Sequence, residues 1–80
     1  MTLTNAIQNR IKGLCAEHGI TINKLSTMSG MTQSTLNNIF MRKNSKPTVS
    51  TIKKICDGLE ISLLDFFDCE FFDNLEQEVK

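Results

Sequence analysis

Helix-capping residues divide this 80-residue chain into short segments, and their spacing limits its fold more than any other feature. A Thr or Ser precedes each of five segments in which apolar residues recur every three or four positions, which is the pattern of amphipathic helices. The expected N-caps are Thr4, Thr21, Thr32, Thr48 and Ser62. Alternation with a period of two residues does not continue over a useful length, so we expect no β-sheet. The sequence therefore predicts an all-α domain of five helices.

Glycines mark the expected ends of three of these helices, because glycine enters the left-handed backbone conformation without steric cost. Gly19 ends the first helix, Gly30 ends the second and Gly58 ends the fourth. The third helix covers residues 33–41, and a loop rich in Lys, Asn and Ser follows it at residues 42–47. The apolar residues of the five helices are Ile7, Ile11, Leu14, Cys15, Leu25, Leu36, Ile39, Phe40, Val49, Ile52, Ile55, Cys56, Leu59, Leu63, Leu64, Phe66 and Phe67.

Composition indicates a small globular domain in a reducing compartment. The chain has room for a single core, and 40% hydrophobic with 22% charged residues excludes a disordered chain. The apolar runs are short, so we expect neither a membrane-spanning helix nor a signal peptide. Three cysteines, Cys15, Cys56 and Cys69, include no Cys-x-x-Cys pair and fit neither a disulfide framework nor a zinc site. We therefore expect free thiols and a cytoplasmic location.

The charges are strongly divided along the chain although their sum is zero. Residues 1–56 carry eight Lys and Arg against one Glu, whereas residues 57–80 carry one Lys against eight Asp and Glu. Net charges of +7 and −7 indicate a basic working face for nucleic acid and an acidic segment that is kept away from it. The alternative is that each charge run simply covers a solvated surface.

Residues 22–39 have the pattern of two short helices joined by a tight turn. Leu25 and Leu36 supply the contact between the two helices, and Ser26 is small enough for their backbones to approach closely. Gly30 can adopt the positive φ that reverses the chain. Two helices joined in this way at a steep angle form a helix-turn-helix, the motif of many DNA-binding proteins.

The motif and its flanks resemble the Cro-type, phage-repressor-like helix-turn-helix regulators, also called the xenobiotic-response-element family. Besides the motif, Lys46-Pro47-Thr48 and the Leu-Glu-Ile-Ser-Leu-Leu-Asp-Phe sequence that begins at Leu59 carry the resemblance. The resemblance implies a compact five-helix, lambda-repressor-like DNA-binding domain at residues 1–67, with its motif at residues 22–40. A short acidic C-terminal extension would follow at residues 68–80.

Two positions depart from the pattern of this family. A glutamine often begins the first motif helix, where it grips a phosphate, whereas this chain has Ile22. A glutamate often closes the recognition helix and a glycine soon follows, whereas this chain has Phe40 and then Arg42-Lys43. A phosphate contact at the start of the first motif helix would then come from its free backbone N–H groups.

The resemblance implies that residues 33–41 enter the major groove of double-stranded DNA as the recognition helix. Gln and Asn side chains can bond bidentately to the N6 and N7 edge of adenine, and Ser or Thr can touch a thymine methyl group. The base-reading candidates are Gln33, Ser34, Thr35, Asn37 and Asn38. The alternative is an ordinary polar helix face, although such a face usually carries Glu, Lys and Arg.

A second set of candidates would hold the DNA backbone and orient the protein without reading sequence. These residues belong to the N-cap of the recognition helix and to the polar loop beyond that helix, and they are Thr32, Arg42, Lys43, Asn44 and Lys46. The alternative is a loop that only keeps the protein soluble. Lys53 and Lys54, in the fourth helix, are expected to be ordinary surface residues.

No residue pattern in the chain points to catalysis. His18 is the only histidine, and near the end of the first helix it is expected to stabilise the helix dipole. The cysteines have no partner base, and the sequence contains neither a phosphate-binding glycine loop nor a metal-spaced cluster. We therefore expect no enzymatic activity, no catalytic residue, no metal and no cofactor.

Apolar residues in and before the acidic end of the chain have two possible roles. Phe71 and Phe72 could dock back on the domain or form a subunit interface. The interface candidates are Leu63, Leu64, Phe71, Phe72 and Leu75.

We predict a homodimer that acts as a transcriptional repressor on a palindromic DNA operator. We expect no membrane among its partners. The alternative is a protein-interaction module on the same scaffold, antitoxin-like or antirepressor-like, with an unknown protein partner.

Overall fold

Each α-helix begins directly after a Thr or Ser whose side chain accepts a hydrogen bond from the backbone N–H three residues further on. The computed structural model describes residues 1–42 and 46–79, and these residues contain no β-strand. The elements are α1 (Leu3–His18), α2 (Ile22–Met28), α3 (Gln33–Met41), α4 (Val49–Leu59), α5 (Leu63–Phe67) and a 3-10 helix (Glu70–Phe72). The prediction of an all-α fold with five helices is confirmed.

Two helix boundaries differ from those predicted from the sequence. Thr2 caps α1 in place of Thr4, which lies inside the helix and is buried. Thr4 belongs to the buried face because positions 4, 7 and 11 follow one another at helical spacing. The helix α4 continues past Gly58 to Leu59, and Glu60 takes the left-handed conformation with a φ of 59°. Packing against other elements, which a local cap signal does not contain, accounts for both differences.

Gly58 lies where α4 packs closely against the end of α2. A Cβ atom at this position would stand 2.7 Å from the Ser29 Oγ and 3.0 Å from the carbonyl carbon and oxygen of Met28. Ser29 is buried, and within residues 1–42 and 46–79 its hydroxyl has no hydrogen-bond partner. The absence of a side chain at Gly58 therefore permits the contact between α2 and α4 and does not end the helix.

The buried side chains form one cluster, to which all five α-helices contribute. It contains Ile7, Ile11, Leu14, Cys15, Leu25, Leu36, Ile39, Ile52, Ile55, Cys56, Leu59 and Phe66. Three apolar residues of the predicted helices are exposed instead, since Val49 is 66% exposed, Leu64 is 80% exposed and Phe67 is 36% exposed. Val49 is the first residue of α4, and α5 is too short to bury more than the stripe that carries Phe66.

Two polar side chains of α1 bond to the C-terminal ends of other helices. Arg10 donates from Nε to the Phe66 carbonyl and from Nη2 to the Asp65 carbonyl, both at 2.8 Å. Gln8 donates from Nε2 to the Ile39 carbonyl at 2.6 Å. These carbonyls lie in the last turn of a helix, where backbone oxygens lack partners within that helix. The first helix therefore holds the ends of both α5 and α3.

The chain beyond α5 packs back on the domain. The centroid of the Phe72 ring lies 6.2 Å from that of Phe66 and 5.0 Å from that of Phe67. Further along, Glu76 donates its backbone N–H to the Met1 carbonyl at 3.1 Å. Of the two roles considered for Phe72, docking on its own domain is therefore the one observed in this chain.

We predict that Gly58→Ala and Gly13→Ala change the free energy of unfolding in opposite directions. A Cβ on Gly13 meets no other part of the described chain within 4 Å, so alanine should stabilise α1 by about 0.5–1 kcal/mol through helix propensity. At Gly58 the clash with α2 should outweigh that gain and destabilise the protein by about 1–2 kcal/mol. Urea unfolding followed by circular dichroism measures both changes. A stabilised Gly58→Ala variant would contradict the close packing of α2 against α4.

Candidate nucleic-acid interface

The helix α3 has one buried face and one exposed polar face. Leu36 and Ile39, which are 0% and 4% exposed, belong to the core. The base-reading candidates lie together on this one helix, and all are exposed: Gln33, Ser34, Thr35, Asn37 and Asn38. Gln33 and Asn37 are four residues apart, as are Ser34 and Asn38, so each pair is adjacent along the helix surface. The structure therefore groups these side chains as the sequence predicted.

Thr32 and Thr35 close the first turn of α3. Thr32 Oγ1 accepts a hydrogen bond from the Thr35 backbone N–H at 3.2 Å, and the two hydroxyls are 2.9 Å apart. This is the N-cap predicted at Thr32. Both hydroxyls are engaged in the cap, whereas within the described residues no hydrogen bond involves the amide groups of Gln33 and Asn38. These two amides, like the exposed side chains of Ser34 and Asn37, therefore remain available to a base edge.

Contacts from α1 hold the C-terminal half of α3. Besides the bond from Gln8 to the Ile39 carbonyl, Lys12 Nζ lies 5.5 Å from the centroid of the Phe40 ring, a cation–π distance. Phe40 packs against the core at the position where the family often has a glutamate, and Ile22 does so where the family often has a glutamine. Ile22 and Phe40, at two of the positions that depart from the family pattern, therefore serve packing in this chain.

Lys46, near the end of the loop at residues 42–47, lines a groove with residues of α3. A groove of about 260 Å³ between α3 and the start of α4 is lined by Thr35, Asn38, Ile39, Lys46, Pro47, Thr48 and Thr51. Arg42, directly after α3, and Lys46 are both exposed. Lys43 and Asn44, the other backbone-contact candidates, lie outside the described residues. The cationic candidates that the structure describes therefore flank the polar face of α3.

The charges are distributed differently from the prediction made by counting along the sequence. Arg10 is bound to carbonyls of α5, and Lys53 forms an ion pair with Asp57 one turn further along α4. The net charge of residues 1–56 therefore overstates the basic character of the surface around α3. The acidic segment is also not kept away from the basic residues, because Glu78 lines a small cavity together with Lys46.

The buried thiols are poor nucleophiles. Burial raises the pKa of the Cys15 thiol and is the largest cause of the raised pKa of the Cys56 thiol, so both stay protonated at neutral pH. His18 lies in the last turn of α1, where its Nδ1–H donates to the Leu14 carbonyl at 2.9 Å.

In the part of the chain that the structure describes, no three His, Cys, Asp or Glu side chains gather as metal ligands would. Every helix in residues 1–42 and 46–79 lacks the length and apolar composition of a membrane span.

Known proteins share both the fold and the motif. A family model for the Cro/C1-type HTH DNA-binding domain matches residues 10–71. The crystal structure of the prophage Lp1 protein 11 is similar at 33% sequence identity and a TM-score of 0.82, over 94% of this chain and 99% of that one. No curated protein matches the sequence. Domains of this type belong to DNA-binding transcription regulators and are typically non-enzymatic. On the family match and the structural similarity, this chain belongs to the Cro/C1-type helix-turn-helix family.

Proposed function

We propose that the chain is a transcriptional repressor that binds a palindromic DNA operator as a homodimer, with α3 in the major groove. The observation that carries this proposal is the outer face of α3, which is polar, uncharged and exposed while the inner face is buried. A helix anchored in this way presents hydrogen-bonding groups at constant spacing, as readout of base edges requires. The family supports this use of α3, and the similarity to a prophage protein supports regulation of the phage-repressor type.

Base reading is assigned chiefly to Gln33 and Asn38. Each amide can donate and accept at once and so can pair with the N6 and N7 edge of adenine. Gln33 is the first residue of α3, and the N-terminal part of a recognition helix is the part that meets bases. Ser34 and Asn37 lie beside them, and the methyl group of Thr35 can meet a thymine methyl while its hydroxyl stays in the cap.

Phosphate binding is assigned to the residues that flank α3. Arg42 follows the helix directly, and Lys46 lines the groove between α3 and α4. Thr32 presents the backbone N–H groups of the first turn of α3, which suit an anion. Lys43 and Asn44, from the same loop, are assigned to act with them. These contacts would position α3 and carry no sequence information themselves.

A second copy is proposed because one recognition helix covers only a few base pairs. A two-fold dimer would place two copies of α3 about one DNA turn, roughly 34 Å, apart. Leu64 is the most exposed of the apolar interface candidates at 80%, and Leu63, Phe71 and Leu75 are half-buried. Phe72 packs on Phe66 and Phe67 of its own domain and is half-buried, so only its exposed part would contribute to the interface. A dimer bound in this way would repress by blocking access of RNA polymerase.

Gln33→Ala should cost about 1–3 kcal/mol on the preferred DNA site and flatten the base preference at one base pair of each half-site. Selection from random duplex DNA with wild-type and variant protein measures the effect, and the wild type should select an inverted repeat. Asn9→Ala is the control, because it removes an exposed amide from α1, and it should leave the selected sequence unchanged. Equal loss of affinity for all sequences in Gln33→Ala would contradict its assignment as a base reader.

Lys46→Ala should weaken binding to all duplex sequences alike. The slope of log affinity against log salt is negative, and its magnitude should fall by about 0.9. The reason is that one phosphate contact, with its released counterion, is lost. Lys53→Ala is the matched control, because that ammonium group is paired with Asp57, and it should leave the slope nearly unchanged. Titrations at several salt concentrations decide the matter. Equal slopes for the wild type and Lys46→Ala would remove Lys46 from the proposed interface.

A further inference from the structure

Within the acidic C-terminal extension, residues 73–79 return to the start of α1, and these residues are called the acidic segment from here on. Packing of Phe72 on Phe66 and Phe67 holds the chain just before this segment. Within the segment, the backbone N–H of Glu76 donates to the Met1 carbonyl. The two attachments direct the segment along the surface that contains the N-terminal turn of α1.

Residues of this segment share cavity walls with Lys46. Glu78 and Lys46 line one cavity of about 90 Å³ together with Leu3, Thr4, Ile7 and Pro47. A larger neighbouring cleft is lined by Lys46, Glu76, Gln77 and Glu78 with residues of the α1 N-terminus. Lys46 also lines the groove that contains Thr35 and Asn38. Lys46 therefore borders both the acidic segment and the groove beside the polar face of α3.

Among the described residues, no carboxylate lies within ion-pair distance of Lys46, and the ion pair that is present joins Lys53 to Asp57. Glu76 and Glu78 nevertheless line the same clefts as Lys46, so a phosphate bound by Lys46 would approach their carboxylates. Charges at a protein surface interact over about one Debye length, roughly 8 Å at physiological salt.

We propose that the acidic segment is autoinhibitory and competes with the DNA backbone for Lys46. Glu76 and Glu78 lower the affinity for duplex DNA by repelling the phosphates that Lys46 would bind. Neutralising or displacing the segment strengthens binding. This inference rests on the proposed DNA-binding function of the same surface.

The test compares two charge-matched double variants of the full chain. Glu76→Gln/Glu78→Gln neutralises the acidic segment beside Lys46. Glu17→Gln/Glu60→Gln neutralises two carboxylates at the far ends of α1 and α4. The helical rise of 1.5 Å per residue places these control positions about 16–21 Å from the helix starts near Lys46. Binding of a labelled random-sequence duplex is followed by fluorescence anisotropy at low and at physiological salt, and circular dichroism verifies folding.

The segment variant should bind the duplex about fivefold more tightly than the wild type at low salt, with a smaller gain at higher salt. The control variant should change affinity less than twofold. In a Lys46→Ala background, neutralising the segment should give no more gain than the control does.

Three outcomes would overturn the inference. Equal gains in both double variants would show an effect of net charge alone. An unchanged affinity of the segment variant, with Lys46→Ala still weakening binding, would remove the autoinhibition and leave the proposed function intact. Absence of duplex binding by the wild type and by every variant would contradict both proposals.

Discussion

Leu36 and Ile39 anchor α3 in the core, and the outward direction of its polar face depends on that anchorage. Burial of these two side chains contributes strongly to stability but has no preferred direction. It therefore fixes the depth of α3 in the domain better than the orientation of the helix. The Gln8 bond to the Ile39 carbonyl supplies the directional part. The close contact at Gly58 adds to this, because α4 supports α2 and α2 packs against α3. The polar face of α3 is thus held in position by the core, by Gln8 of α1 and by α2.

Helix starts could be predicted from the sequence because capping is a local interaction. Each N-cap from α2 to α5 bonds a backbone N–H only three residues away, so a few neighbouring residues contain the whole signal. Thr4 and Gly58 were assigned wrongly because both have a tertiary role. Thr4 faces the core, and Gly58 accommodates Ser29 from another helix. Local sequence patterns indicate candidate helix ends, and tertiary packing determines which of these candidates are used.

The residues of the candidate site could be predicted, but their surroundings could not. Helical periodicity separates Leu36 from the polar face of α3 without any knowledge of the rest of the fold. Arg10 bonds to residues 55 and 56 positions away, and no periodicity or cap signal reports such pairs. Lys46 likewise meets both α3 and Glu78 only after folding. Counting charge along the chain therefore could not show that Arg10 and Lys53 are engaged elsewhere, or that Glu78 shares a cavity with Lys46.

Amide ¹H–¹⁵N spectra of the chain, titrated with duplex DNA, test most directly whether the outer face of α3 is the surface that meets DNA. We expect the largest shift changes at residues 33–38 and at Thr48, with small changes in α5, because α3 and the start of α4 border the same groove. Changes concentrated at the exposed apolar residues of α5, with the signals of residues 33–38 unmoved, would contradict this assignment.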